Sequence, residues 1–461
     1  MRFTRLLLLF ALCTTAWSTV AAQHSLREPT ASYLLLNADR IASSENVELV
    51  PGKPEKHAGN PIMVEDKPWE VRYGNLSANV IFDPFEKFYK GWFSPFIMCE
   101  STEQTPVDKR GELPYRGAHA GTAREAGVLY GTSHNGELWN KPLLDLNPWT
   151  DGAKTSILVR GAYGASVFRD QRDGRKLYKM MYSTGNMLTT RTSADGIRWS
   201  NASNATEAME EAQTHAFWAS DRREYVAMTT IKDGNGFAIG RTSSKDFVKW
   251  TPITPALKGL TAEQQVIALP VLPLGGVFLG FPVIHDTAQD RVHTELAWSS
   301  DTIQWQRIAA GTPFLGNGDK GSYDWGSAFV GSAVALNDGV RIFYSGSDDV
   351  LSGWCKGSLN LAQLETDRFA GYRAADGQTG TLQLKPLPYT GGKVRITADI
   401  APGGFVAISA EDKDGNNLIG SSRIEKGGTD IEVETNIPEQ TRELAIRLRL
   451  QNATVYSLGF R

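Results

Sequence analysis

A seven-residue phrase that returns along the chain constrains the fold more than any other feature. Ser133-His-Asn135-Gly-Glu-Leu-Trp139 is followed by Ser193-Ala-Asp195-Gly-Ile-Arg-Trp199 and by Ser244-Lys-Asp246-Phe-Val-Lys-Trp250. A fourth copy, Ser300-Asp301-Thr-Ile-Gln-Trp305, reads as shortened by one residue. The copies recur at roughly 50–60 residues, the spacing of propeller blades. In each, a Ser and an Asp or Asn can bond nearby backbone in a tight turn. The Trp then begins the outer strand and covers the blade edge.

Between the copies lie β-rich hairpins. Asn79–Phe82 breaks at Asp83-Pro84 and returns as Phe88–Phe93; Ala165–Phe168 breaks at Asp170–Gly174 and returns as Leu177–Tyr182. Inner hairpins fall near Asn79, Ser166, His215, Val266 and Phe329, which predicts a five-bladed β-propeller over residues 23–375. After Gly371 the pattern changes to alternating strands at Lys393–Ile400, Phe405–Glu411, Asp430–Thr435, Glu443–Leu450 and Thr454–Phe460, with turns at Pro402–Gly404, Asp414–Asn416 and Gly427-Gly428. This predicts a small β-sandwich over 376–461. The fold class is all-β.

The first residues bear on compartment. Arg2 and Arg5 precede an apolar run from Leu6 to Leu12, and small residues follow to Ala22. That pattern predicts a signal peptide over 1–22 and a secreted or periplasmic protein. The formal net charge is −3 and no basic cluster occurs, which argues against nucleic acid and anionic membrane as partners. Beyond Cys13 in the signal, Cys99 and Cys355 are the cysteines. They fall on the first and fifth blades, neighbours once the ring closes, where they either pair in a disulfide latch or stay as two thiols. No Asp-x-Asp-x-Asp-Gly loop is present, so no metal is assigned, although exposed acids and carbonyls at the axis would suit calcium.

In a propeller, the inner strands begin on the face where ligands usually bind, and the loops between second and third strands open there too. This brings forward Glu70, Asn79, His215, Glu263 and Asp324 from strand starts, and His119, Arg291 and Asp348 from loops. The loop from Pro95 to about Glu125 is the longest, as functional loops and lids often are. Glu70 and Asp324 each adjoin a Trp, Trp69 and Trp325. An indole stacks on the apolar face of a sugar ring, and an apolar surround raises a carboxyl pKa. Asp83 and Asp170 belong to hairpin turns, and Asp195, Asp246 and Asp301 to the Trp turn, so these acids read as structural.

Several of these stretches resemble a known group. They are Asn60-Pro-Ile62, Glu65-Asp-Lys-Pro-Trp-Glu70, Asn79–Asp83, Tyr89-Lys-Gly-Trp92, Thr214-His215, Phe217-Trp218, Arg241-Thr-Ser243, Gly321–Gly326 and Asp367–Tyr372. Together they are similar to exported bacterial relatives of the five-bladed propeller glycoside hydrolases, the invertase/levanase-like and arabinanase-like families. The resemblance implies an axial pocket with three carboxylates. Glu70 would be the first-blade base or nucleophile with Asp66 as its rival, and Asp324 and Glu263 the remaining acids. It implies a carbohydrate substrate contacted by Trp69, Asn79, His119, His215, Trp325, Arg291 and Asp348. The Trp-x-Asn-Asp-Pro-Asn, Arg-Asp-Pro and Glu-Cys motifs of the invertases are absent. Three functions follow as expectations: a secreted glycoside hydrolase, a non-catalytic carbohydrate-binding propeller, or a phosphorylase, since Asn60-Pro61 is also similar to the mannoside phosphorylases.

Overall fold

β-Branched and aromatic residues fill Ala78–Asp83 and Phe88–Phe93, and the two runs pair antiparallel with Ala78 opposite Phe93 and Asp83 opposite Phe88. Asp83 shapes the turn between them, its Oδ1 accepting from the backbone N–H groups of Phe85 and Glu86 at 2.9 and 3.1 Å. The computed structural model describes residues 24–28, 32–71, 73, 77–99, 124–234, 236–353, 356–389, 391–411, 417–435 and 437–460. Residues 1–22, expected to be a signal peptide, lie outside them.

Four antiparallel sheets form a β-propeller arrangement. The first adds Arg124–Ser133 and Ile157–Arg160 to the opening hairpin, and Phe96–Cys99 also pairs with Arg124–Ser133. The second runs from Tyr163–Arg169 to Ser203–Glu207, and the third from Thr214–Ala219 to Thr254–Leu257. The fourth contains Val271–Leu274, Val277–Gly280, Leu296–Ser299 and Gln306–Ile308. Its first two strands are the ends of longer ones broken at Pro270 and Pro282, since proline cannot donate to a ladder. The near halves, Gln264–Ala268, Val283–Asp286 and Arg291–Thr294, join a further sheet with Ser327–Leu336, Gly339–Ser347 and Gly357–Leu364. Two short N-terminal strands, Glu55–Lys56 and Met63–Val64, pair on the outer edge of that sheet.

All four Trp turns share one geometry. The Ser hydroxyl accepts from the N–H three residues on: Gly136, Gly196, Phe247 and Thr302, at 2.8–2.9 Å. The Asn135, Asp195, Asp246 and Asp301 side chains each take two further backbone N–H groups. The fourth residue is left-handed in every copy, with φ of 80°, 78°, 64° and 67°. The fourth copy is therefore not shortened. Its cap is Ser299, which a comparison of letters missed because Ser300 follows it. The Trp precedes the outer strand instead of starting it.

Polar side chains stitch neighbouring inner strands together. Asn79 donates to the Ala165 carbonyl at 2.5 Å and accepts from Val167 N–H at 3.2 Å. Ser166 bonds both backbone groups of Ala216, and Ser332 accepts from Val80 N–H at 3.0 Å. Gly331 lets the last inner strand touch the first, because a Cβ there would lie 2.4 Å from the Ala78 carbonyl oxygen. Farther out, Tyr178 donates to Asp83 and Tyr225 to Asp170, at 2.9 and 2.6 Å, with Lys90 and Lys179 at 3.5 and 3.6 Å. The hairpin-turn aspartates thus also tie the first sheet to the second and the second to the third.

A ten-stranded sheet gathers the remaining chain. Its spine is two long partners, Val394–Glu411 and Glu443–Phe460. Pro402–Gly404 is a bulge inside the first, not a turn between two strands, and Gly403 supplies φ 76° there. A strand at Asn417–Ile424, unforeseen from the sequence, pairs alongside, and Gly428–Val433 begins earlier than expected. The alternating faces place Val394, Ile396, Val406, Ile408, Ile446 and Leu448 in one core. Tyr33–Leu34, Ile41–Glu45, Val47–Pro51 and Ala370–Ala374 also pair into this sheet. The edge of this sheet recruits distant chain, which local alternation cannot reveal. The described residues include one short helix, the 3-10 turn Ala38–Arg40 capped by Asn37. Among them, no helix is long and apolar enough to cross a membrane.

Candidate functional site

Glu70 and Asp324, the two acids beside tryptophans, turn out to be held in the same way. Glu70 has a fully buried side chain, and Lys141 reaches it from just beyond the first Trp turn, with Nζ 2.7 Å from Oε2. Oε2 also accepts from the N–H groups of Asp66 and Lys67 at 2.8 and 3.1 Å. The same ammonium lies 2.5 Å from Asp66 and donates to the Val64 carbonyl at 3.0 Å. Burial opposes ionisation of Asp66, but Lys141 holds its carboxyl below the usual range. Trp69 packs against Trp149 and donates to Ser156 Oγ at 3.3 Å. These partners belong to the outer part of the first blade.

Asp324 sits beside the last sheet. Lys56 Nζ lies 2.6 Å from its Oδ2, and Tyr344 donates to the same oxygen at 3.0 Å. Ser322 donates to Oδ1 at 3.1 Å. Asn60 donates to Tyr323 and Tyr344 at 3.2 and 3.3 Å, which extends the network to the N-terminal segment. Burial, with Tyr323 and Asp324 adding to it, raises the Tyr344 pKa. Trp325, next in sequence, faces the cations of Arg291 and Lys320, 5.5 and 5.9 Å from its ring centre. Arg291 is itself bonded by Gln289.

At the axis, Asn79 and His215 bind backbone. His215 donates from Nε2 to the Val271 carbonyl at 3.0 Å, and burial lowers its pKa to about 4, so the ring is neutral near pH 7. Together with Ser77, Gln213, Phe329 and Gly331 they leave about 10 Å³ of space on the side where the inner strands begin. That is about one water. Below it, a largely apolar space of about 160 Å³ is lined by Ile81, Phe168, Phe217 and Phe281. The three-carboxylate axial pocket implied by the resemblance is not formed by the described residues.

A roomier cavity of about 530 Å³ lies on the same upper face, between the Asp233–Gly236 hairpin and the stretch Lys258–Gln265. Its size falls within the ~300–1,000 Å³ of small-molecule sites. Phe237 and Leu260 line it and are 36 % and 55 % exposed. Asp233, Lys258, Gln264 and Gln265 supply polar groups, and Gln264 Oε1 is buried without a hydrogen-bond partner among the described residues. Gly259 allows this shape, since a Cβ there would meet the Gln264 carbonyl oxygen at 1.6 Å. Glu263 stands on the rim, exposed, its backbone carbonyl accepting from Thr287 N–H at 2.9 Å. Among the described residues its carboxylate makes no hydrogen bond or ion pair.

The expected residues therefore do not converge. Glu70, Asp66 and Trp69 form one cluster, Asp324 another, Asn79 and His215 the axial clamp, and Glu263 the rim of the cavity. Asp348 accepts from Lys356 N–H at 2.7 Å in the last sheet. His119, Cys355 and the Cys99 side chain lie outside the described residues. Lys141 and Lys56 were missed, because a lysine 71 residues from its acid leaves no local signal. Phe237 could have been found, since it adjoins a loop that opens on the upper face. Among the described residues, no group of three or more His, Cys, Asp or Glu side chains could hold a metal ion.

No protein-family model and no curated protein matches the chain. Solved structures similar to it include a Listeria innocua β-1,2-mannobiose phosphorylase, at 13 % identity and a TM-score of 0.47, covering 68 % of this chain and 98 % of that one. The catalytic domain of a Coprinopsis cinerea GH62 α-L-arabinofuranosidase is similar at 13 % identity and 0.47, covering 68 % and 97 %. An N-acetylgalactosamine deacetylase from F. plautii is similar at 11 % identity and 0.46, covering 70 % and 97 %.

Proposed function

We propose that this chain is an exported carbohydrate-binding propeller of five blades with a C-terminal β-sandwich, and that it takes a glycan in the upper-face cavity beside Glu263. The sheet of Ser327–Leu364, completed by Glu55–Lys56 and Met63–Val64, supplies the fifth blade, and the Ser332–Val80 bond closes the ring. One observation carries the functional reading: Phe237, an exposed ring, stands in the same cavity as Asp233, Lys258 and Gln264, whose Oε1 has no hydrogen-bond partner among the described residues. A sugar ring has an apolar face for the aromatic and hydroxyls that both donate and accept. Glu70 and Asp324, held by Lys141 and Lys56, are structural acids in this view. Calorimetric titration with xylohexaose and mannohexaose tests it. Phe237→Ala is expected to weaken binding roughly tenfold or more, the worth of one stacking contact. Unchanged affinity would sink the assignment.

A second reading, hydrolysis, is favoured by the placement of Asp233 in the cavity and Glu263 on its rim. Glycoside hydrolysis requires a pair of carboxylates flanking the scissile bond, one as acid and one as base or nucleophile. In that case Glu263→Gln removes turnover and leaves binding in place.

A further inference from the structure

A still roomier cavity lies far from the upper face, at the seam between the last propeller sheet and the ten-stranded sheet. It measures about 620 Å³ and opens beside the hairpin turn at Asp338 and the end of the strand Gly357–Leu364. Gly52 makes the seam possible: a Cβ there would lie 1.9 Å from the Arg368 carbonyl oxygen. Four basic and four acidic side chains line the space. Several are locked to each other in donor–acceptor pairs. Arg368 donates to Asp399 at 3.0 Å, Tyr456 donates to the other oxygen of Asp399 at 2.8 Å, and Arg341 lies 3.6 Å from Asp338. The Arg368 guanidinium also lies 5.5 Å from the centre of the Tyr456 ring.

We propose that this seam is a second binding site, and that its ligand is a neutral oligosaccharide. A lining balanced in charge gives no net field to draw in an anion. What it does offer is guanidinium donors beside carboxylate acceptors, and neighbouring sugar hydroxyls use both at once. Tyr456 adds an aromatic surface, and Lys53 an exposed donor at the margin. The proposal rests on the carbohydrate reading above but on wholly different residues, on the other side of the propeller.

Calorimetric titration of the intact protein with xylohexaose and mannohexaose, and with hexagalacturonate as the charged probe, tests it. At least one neutral probe is expected to occupy two sites per chain. Tyr456→Ala and Lys53→Ala should each weaken one site, roughly tenfold for Tyr456, and leave the other unchanged. Lys53 is exposed, so its variant guards against a folding defect. If both seam variants keep full binding while Phe237→Ala abolishes it, the seam site is overturned and the upper-face site stands. If the seam variants lose all binding and Phe237→Ala loses none, the seam stands and the upper-face site falls. Tighter binding of hexagalacturonate at the seam, or no binding of any probe, overturns the proposal.

Discussion

Lys141 places its ammonium 2.7 Å from Glu70 across 71 residues of sequence, and both side chains are almost completely withdrawn from solvent. A carboxylate beside an indole, attractive as a catalytic acid, is thereby one end of a buried ion pair joining the N-terminal segment to the first blade. Removing one partner of such a pair leaves an uncompensated charge. Glu70→Gln is expected to destabilise the fold by about 2–4 kcal/mol, with Asp66 taking up part of the load. Thermal melting of Glu70→Gln and Lys141→Met checks this. A loss of function at unchanged melting temperature would point back to chemistry at Glu70.

The inner strands are clamped by side chains as well as by packing. Asn79→Ala would orphan the Ala165 carbonyl and Val167 N–H, at a cost of about 1–3 kcal/mol. Urea denaturation should show the midpoint falling with little change in slope.

The Trp turns demand a left-handed residue at their fourth position, with unequal penalties among left-handed glycines. At Gly196 a Cβ would also meet Trp92 at 2.7 Å, whereas at Gly185 nothing stands within 4 Å. Gly185→Ala is expected to cost about 1–2 kcal/mol from backbone strain alone. Gly196→Ala should cost more, through displacement of Trp92, whose indole N–H donates to the Gly196 carbonyl at 2.8 Å. Equal melting temperatures for the two variants would contradict that packing.

His215 gives the fold an acid-side pH dependence. Its folded pKa of about 4 lies below the ~6.5 of an unfolded chain, so the unfolded state binds more protons between those values. Its contribution is full above about pH 6.5 and is lost as pH falls toward 4, by about 3 kcal/mol. Asp83 and Asp170, also held below their usual range despite burial, lose their contributions at lower pH still. Stability measured from pH 7 to 4 should slope downward, and His215→Gln should flatten that slope.

The repeat was legible because the Trp turn is local: a Ser, an Asp or Asn and a left-handed residue within seven positions specify their own hydrogen bonds. The inner hairpins followed from their β-rich runs and turn residues. What the sequence hid were long-range choices. Glu55–Lys56 and Met63–Val64 pair with a strand some 300 residues on, and Val47–Pro51 pairs with Ala370–Ala374. The site was hidden for the same reason. Glu70 and Asp324 read as catalytic acids from their tryptophans, with no local sign of the lysines that hold them, and Glu263 read as an acid of the axial pocket, with no local sign of the cavity beside it.

The most direct test mixes the intact protein with defined neutral oligosaccharides, with and without phosphate, and follows both bound ligand and product by mass spectrometry. The expected result is binding that depends on Phe237, with every oligosaccharide recovered uncut. Release of shorter sugars or of a sugar phosphate, lost in Glu263→Gln, would contradict a binding role and establish catalysis at the upper-face cavity.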